Sequence, residues 1–296
     1  MTMRIGVKLP HTGAGAPASS LARRARDLEA AGFDSLWVSD HVVLPEVIES
    51  HYPFAADGKA TWPTTTPYLE ALVSLAAAAA VTERVRLGTA ALVLPQRNPV
   101  LLAKQVASID ALSGGRVALG IGAGWLREEF DALGMPFEDR GARMVEWITL
   151  LRDCWTGRPA AHSGAHYRLP ADTLVLPAPA HAVPLYVGGH SPTALRRAAR
   201  LGDGWLAQQA VPALDPPRLA DEIASIRSTA TAAGRDPSEL QVVLRLVESA
   251  GRAGEVAQRI GELGRAGVDE IIVDADPLTE DAGAVHELLR DAASAR

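Results

Sequence analysis

Short apolar runs alternate with amphipathic stretches along the whole chain, the pattern of strands and helices wound around a parallel sheet. The runs predict strands over Arg4–Leu9, Ser35–Ser39, Val85–Val93, Val117–Gly122, Leu185–Gly188, Gly204–Gln208, Gln241–Val247 and Glu270–Val273. Eight is the number that closes such a sheet into a barrel. Between the strands, apolar and small residues recur at helical spacing: Leu21, Ala25, Leu28 and Ala31; Met144, Trp147, Ile148 and Leu151; Leu195, Ala198, Ala199 and Gly202; Val285, Leu288, Leu289 and Ala292. Gly32, Gly202 and Gly267 stand where a helix C-terminus favours glycine.

Two segments break the rhythm. Val42–Pro67 follows the second strand and holds His51, Tyr52, Trp62 and four prolines. Gly157–Pro184 comes after the fourth strand and its long helix. Within it, Tyr167–Pro170 and Thr173–Pro177 are expected to pair as a hairpin. Long loops in a compact barrel usually cover a binding site, so both are expected to close over a ligand. Residues 1–296 thus read as one α/β domain, a (β/α)8 TIM barrel with insertions after strands two and four. The 296-residue length suits that fold, for which roughly 250 residues is typical.

Composition removes several function classes. The 29 basic and 35 acidic residues leave a net charge of −6 without a basic patch, which argues against nucleic acid as a partner. The single cysteine, Cys154, sits among apolar residues at helical spacing and is expected to be a buried structural thiol. The most apolar segment, Leu69–Val81, is too short to span a bilayer, and no leader-like pattern opens the chain, so a soluble cytoplasmic setting is expected. The histidines show no metal-ligand spacing, so no metal site is expected.

A barrel of this kind places its active site at the C-terminal strand ends, which directs attention to the residues just past each strand. Asp40 and His41 follow the second strand and offer a carboxylate and an imidazole suited to proton transfer. The third strand carries the small residues Gly88-Thr89-Ala90-Ala91, which allow a flat ligand close to the backbone. The fourth ends Gly120-Ile121-Gly122-Ala123-Gly124-Trp125. This departs from the dinucleotide fingerprint because Trp125 replaces its last glycine. After the fifth strand, Gly188-Gly189-His190-Ser191-Pro192-Thr193 opens a helix with Ser191 suited to the N-cap and Pro192 to the first turn. Free N–H groups at such a terminus make a phosphate site.

These segments resemble the luciferase-like monooxygenases. The likeness rests on Asp40-His41, on Gly88-Thr89-Ala90-Ala91 with Val93-Leu94-Pro95 and Asn98-Pro99, on Gly120 through Phe130, and on Gly188-Gly189-His190-Ser191-Pro192, all in the family's order. The resemblance implies a barrel holding FMN or the deazaflavin coenzyme F-420. It implies a non-proline cis peptide at Ala90-Ala91 behind the ring, with His41 and Asp40 at the reactive edge. Gly122, Ala123 and Trp125 would line the pocket, and Gly188, Gly189, His190, Ser191 and Thr193 would gather round the phosphate. Luciferases carry an arginine for the flavin phosphate where this chain has Ala123, so the deazaflavin branch is the closer likeness. Hydride transfer between coenzyme F-420 and a small organic substrate is the expected activity. The alternative is an FMN-dependent monooxygenase fed by a separate reductase, and a non-catalytic flavin-binding protein is the third reading. The family also implies a homodimer.

Overall fold

The computed structural model describes residues 3–13, 18–55, 57–60, 62–275 and 280–294. From the N-terminus, β1 (Arg4–Lys8), α1 (Leu21–Ala30), β2 (Ser35–Val38), α2 (Ala71–Ala79), β3 (Arg86–Val93), α3 (Pro99–Ser113) and β4 (Val117–Gly122) alternate as the hydrophobic pattern predicts. After β4 come α4 (Arg127–Ala132), α5 (Arg140–Trp155) and a two-stranded ribbon of β5 (His162–Ser163) and β6 (Arg168–Leu169). The order then resumes with β7 (Leu185–Gly188), α6 (Pro192–Leu201), β8 (Gly204–Ala210), α7 (Pro216–Ala232), β9 (Gln241–Val247), α8 (Ala253–Ala266), β10 (Glu270–Val273) and α9 (Ala282–Ser294). Every barrel pair is parallel, and the closed order is β1-β10-β9-β8-β7-β4-β3-β2. This is a (β/α)8 barrel.

The strands bury outward-facing residues such as Ile5, Val7, Leu36, Leu87 and Ile271 beneath the helices. Their inward residues follow at the two-residue period of a strand. Trp37, Ala90, Ala118, Tyr186, Leu206, Val243 and Ile272 fill the middle of the barrel. The helix stripes face the sheet as predicted, except Leu288, which is half exposed. Cys154 is fully buried, and burial pushes its thiol up to about 11, so it packs as a small apolar group.

A charged cluster seals the N-terminal end of the barrel. Glu270, fully buried, accepts from Arg4 Nε at 2.9 Å and Trp37 Nε1 at 3.1 Å, and also from Arg86 and Ser35. Tyr186 donates to Gln241 at 2.9 Å beside it. With that end closed, an interior cavity opens at the C-terminal strand ends.

Two local expectations are corrected. Tyr167–Pro170 does not pair with Thr173–Pro177. Arg168–Leu169 pairs instead with His162–Ser163, because Glu146 of α5 accepts from His162 Nε2 (2.9 Å), His166 N (3.0 Å) and Tyr167 N (2.9 Å) and so anchors that turn. Gly32 and Gly267 take positive φ values at the ends of α1 and α8, but Gly202 has φ −81°. There the small residue is required by space, since a Cβ would lie 2.6 Å from Gly204 O.

Candidate active site

The cavity at the strand C-termini measures about 1120 Å³ and is lined by the expected Asp40, His41, Ala90, Ala91, Gly122, Ala123, Trp125, Gly188, Gly189, His190, Ser191 and Thr193. On one wall the peptide between Ala90 and Ala91 is cis, as the resemblance implied, and the register of β3 on β4 shifts between Thr89 and Leu92. The glycines around it serve different ends. A Cβ at Gly88 would lie 2.3 Å from the Trp37 ring, and one at Gly120 2.1 Å from Thr89 O, so both are packing requirements. A Cβ at Gly122 would meet only the Ala91 methyl, at 3.7 Å, and would fill space over the cis peptide.

Asp40 anchors this wall and is not a free catalytic carboxylate. Its Oδ2 accepts from Val93 N (2.8 Å) and Arg97 Nη1 (2.7 Å), and its Oδ1 from Arg97 Nη2 (2.8 Å). Burial pushes the Asp40 carboxyl up from its ordinary value, while Arg97 and the Val93 N–H pull against that. The sequence showed Asp40 at a strand end but not the distant arginine that occupies it.

His41 stands differently. Its Nδ1 lies 3.1 Å from Glu129 Oε2, and the other oxygen of Glu129 accepts from Val42 N (2.6 Å) and Val43 N (3.3 Å). Burial works to raise the Glu129 carboxyl, yet these bonds leave it below its ordinary value. A carboxylate opposite Nδ1 holds the proton there and leaves Nε2 as the ring nitrogen available to the cavity. Tyr68, Trp62 and Trp125 surround the imidazole at centroid distances of 5.4, 5.9 and 6.1 Å. Glu129 was visible in the sequence only as part of a motif, because its partner is 88 residues away.

At the start of α6, Ser191 Oγ accepts from Ala194 N at 3.2 Å, the predicted N-cap, and Pro192 opens the first turn. The His190 ring is not free for an anion. Its Nδ1 binds Glu222 of α7 at 2.9 Å, and its Nε2 packs against the Gln208 backbone at 2.9 Å. Two cations that sequence reasoning missed approach this end of the cavity. Arg140 is held by Gly124 O at 3.0 Å, and Arg197 has a buried Nε without a partner.

The loop Val42–Pro67 covers the mouth with Tyr52, Phe54 and Trp62, as expected, whereas His51 turns aside to pack over Gly58. The second loop, Gly157–Pro184, lines no part of the cavity. It lies on the barrel flank, where Tyr167 meets Trp147 and Asn98. Its expected place over the mouth is taken by the start of α5 and the loop between β8 and α7.

The sequence pattern of the luciferase-like monooxygenases matches residues 3–284 of this fold. The chain belongs to the luciferase-like monooxygenase family. Among the relatives of this luciferase-like oxidoreductase is an uncharacterized protein of Mycobacterium tuberculosis, 39% identical over 220 residues, 74% of each chain. An F420-dependent glucose-6-phosphate dehydrogenase of Intrasporangium calvum is 36% identical over 63% of this chain and 56% of its own length. Similar solved structures include an F420-dependent secondary alcohol dehydrogenase in complex with an F420-acetone adduct (TM-score 0.76, 20% identity, 99% and 98% of the two chains). Another is the oxygenating constituent of 3,6-diketocamphane monooxygenase from Pseudomonas putida with FMN (TM-score 0.72, 17% identity, 99% and 97%). The family is one of F420- or FMN-dependent oxidoreductases and monooxygenases, and the luciferase-like barrel here is an enzyme of that kind.

Proposed function

We propose that this enzyme transfers a hydride between the deazaflavin coenzyme F-420 and a small organic substrate. The observation that carries the reading is the cavity wall itself, with a cis peptide at Ala90–Ala91 left open by Gly122 and an orphaned Arg197 Nε beside the N-terminus of α6. These residues fit a flat ring with a phosphate at one end. Gly122 and Ala91 would lie against the ring. The backbone of Gly188 and Gly189, the hydroxyls of Ser191 and Thr193, and Arg197 would hold the phosphate. When bound, the deazaflavin supplies a carbon that accepts or donates hydride and reacts little with oxygen. The identity of the dehydrogenase relative and the absence of a phosphate-binding arginine at Ala123 support that coenzyme over FMN.

The chain's own residues supply the rest. His41 Nε2, oriented by Glu129, accepts the proton of a substrate hydroxyl during oxidation and returns it during reduction. Trp62, Tyr68 and Trp125 wall this nitrogen from water and shape the space for the organic group. Asp40 and Arg97 hold the backbone after the cis peptide in place and act through position alone.

Titration of the purified protein with oxidised coenzyme F-420 and with FMN, followed by fluorescence, tests the reading. Micromolar affinity for the deazaflavin with much weaker FMN binding is expected. The reverse preference would make the enzyme an FMN monooxygenase supplied by a reductase, and binding of neither would refute both.

A further inference from the structure

The inward residues of β1, β10 and β9 form layers at the two-residue period. Arg4 pairs with Glu270 at the bottom and Gly6 with Ile272 in the middle, while β9 is staggered against them, with Val243 beside Glu270 and Arg245 beside Ile272; Lys8, Asp274 and Arg245 reach the cavity at the top. Branched apolar side chains usually fill a barrel interior. Two cations at the top layer, facing the cavity, therefore need an explanation.

Arg245 is only 7% exposed. Its Nη2 binds Asp274 at 2.8 Å, but its Nη1 is buried without a partner. Lys8 reaches Thr12 Oγ1 at 3.2 Å and, among the described residues, no carboxylate within ion-pair distance. Burial, followed by the nearby Arg245, pushes the Lys8 ammonium down to about 8, with Asp274 acting in the other direction. A cation held in such a place without a full complement of acceptors is costly unless a ligand supplies them.

The position is equally specific. Around the closed barrel, β9 and β3 are four strands apart in either direction, so Arg245 stands across the cavity from Ala90–Ala91. A ring lying against the cis peptide leaves its other face toward Arg245, with Lys8 two strands to one side of both, and the organic substrate approaches there. The helix α6, which gathers the phosphate, follows β7, which is opposite β1. The two cationic groups are thus separate places in one cavity.

We infer that Lys8 and Arg245 form a recognition site for a carboxylate of the organic substrate. The inference rests on the hydride-transfer reading for what lies on the opposite wall. Among the described residues, Lys8 and Arg245 carry two positive charges and Asp274 one negative, which leaves a single positive charge to match a monoanion. Glu248 also lines the rim, but it is solvent-exposed and its field is screened there. Tyr52, Tyr68 and Trp62 make the adjoining wall aromatic, so an aryl or alkyl carboxylate suits the space better than a polyanion.

Calorimetric titration of the coenzyme-saturated protein with benzoate and with benzamide, its neutral isostere, tests this. Benzoate should bind at least tenfold more tightly. Arg245→Met and Lys8→Met should each abolish most of that preference with coenzyme affinity unchanged. Asp274→Asn, which removes the competing carboxylate, should strengthen benzoate binding, a direction that a purely structural ion pair would not produce. Equal binding of the two probes, or a preference untouched by Arg245→Met, overturns the inference. If no coenzyme binds yet the apo-protein still prefers benzoate through Arg245, the coenzyme reading fails and the carboxylate site stands.

Discussion

Glu129→Gln isolates the role of the histidine at the cavity mouth. The substitution keeps volume and removes charge. Oε1 of Glu129 accepts from Val42 N at 2.6 Å and Val43 N at 3.3 Å, so the single carbonyl of glutamine should stay with the backbone. The amide NH₂ then faces His41 Nδ1, where a carboxylate oxygen stood at 3.1 Å. A neutral imidazole can meet an NH₂ group only by accepting, so the proton moves to Nε2 and the ring presents a donor to the cavity in place of an acceptor. Replacing a charge-assisted hydrogen bond by a neutral one should destabilise the fold by only about 1–2 kcal/mol. Losing a positioned base should lower turnover about 10²–10⁴-fold. Nitrogen-15 NMR of the imidazole reads the tautomer directly, and steady-state kinetics with coenzyme affinity measured in parallel reads the consequence. A wild-type His41 that already carries its proton on Nε2, or a variant with unaltered turnover, would refute the reasoning.

Other perturbations separate packing from function. Lys8→Met should stabilise the fold. A lysine held at about 8 in the folded state and 10.5 when unfolded costs roughly 3 kcal/mol at pH 7. Because the unfolded chain binds the extra proton, that penalty is complete below about pH 8, fades between pH 8 and 10.5 and is gone above that. Thermal denaturation at pH 7 should show a gain of about 5 °C that shrinks in alkaline buffer; an unchanged or lowered midpoint at pH 7 would count against a buried charged lysine facing Arg245, Asp274 and His11. Gly120→Ala should prevent folding, since its Cβ would meet Thr89 O at 2.1 Å, whereas Gly122→Val should fold normally and lose coenzyme binding. Circular dichroism and coenzyme fluorescence distinguish the two, and a Gly122→Val protein that binds coenzyme normally would remove that wall from the site. Asp40→Asn should destabilise the fold by about 1.5–3 kcal/mol, read as a lower melting midpoint, because it removes the charge-assisted bonds to Arg97 while Glu70 stays at 3.2 Å from that guanidinium. Retained stability would show that the pair is not ionised.

The barrel was legible in the sequence because its strands and helices announce themselves by local period. Each apolar run is a strand whose neighbour is dictated by the rule that parallel connections run through a helix, so order alone nearly determines topology. The N-cap at Ser191 and the segments that line the cavity were also readable, because a cap is a local hydrogen bond and a barrel always gathers its strand ends at one mouth.

What the tertiary structure decided is which of those residues are free to act. Asp40 and His41 are neighbours in the chain with the same outward signal of chemistry. Only the arrival of Arg97 on one and Glu129 on the other separates a pinned carboxylate from an oriented imidazole. His190 is likewise committed by Glu222 of α7. Glu146 set the pairing of the ribbon against the expectation from its sequence. Lys8 and Arg245 looked like ordinary strand residues until the closure of the sheet turned them both inward and set Arg245 opposite the cis peptide. Local period records where the backbone goes, whereas the availability of a polar atom depends on partners tens of residues away, brought beside it only when the barrel closes.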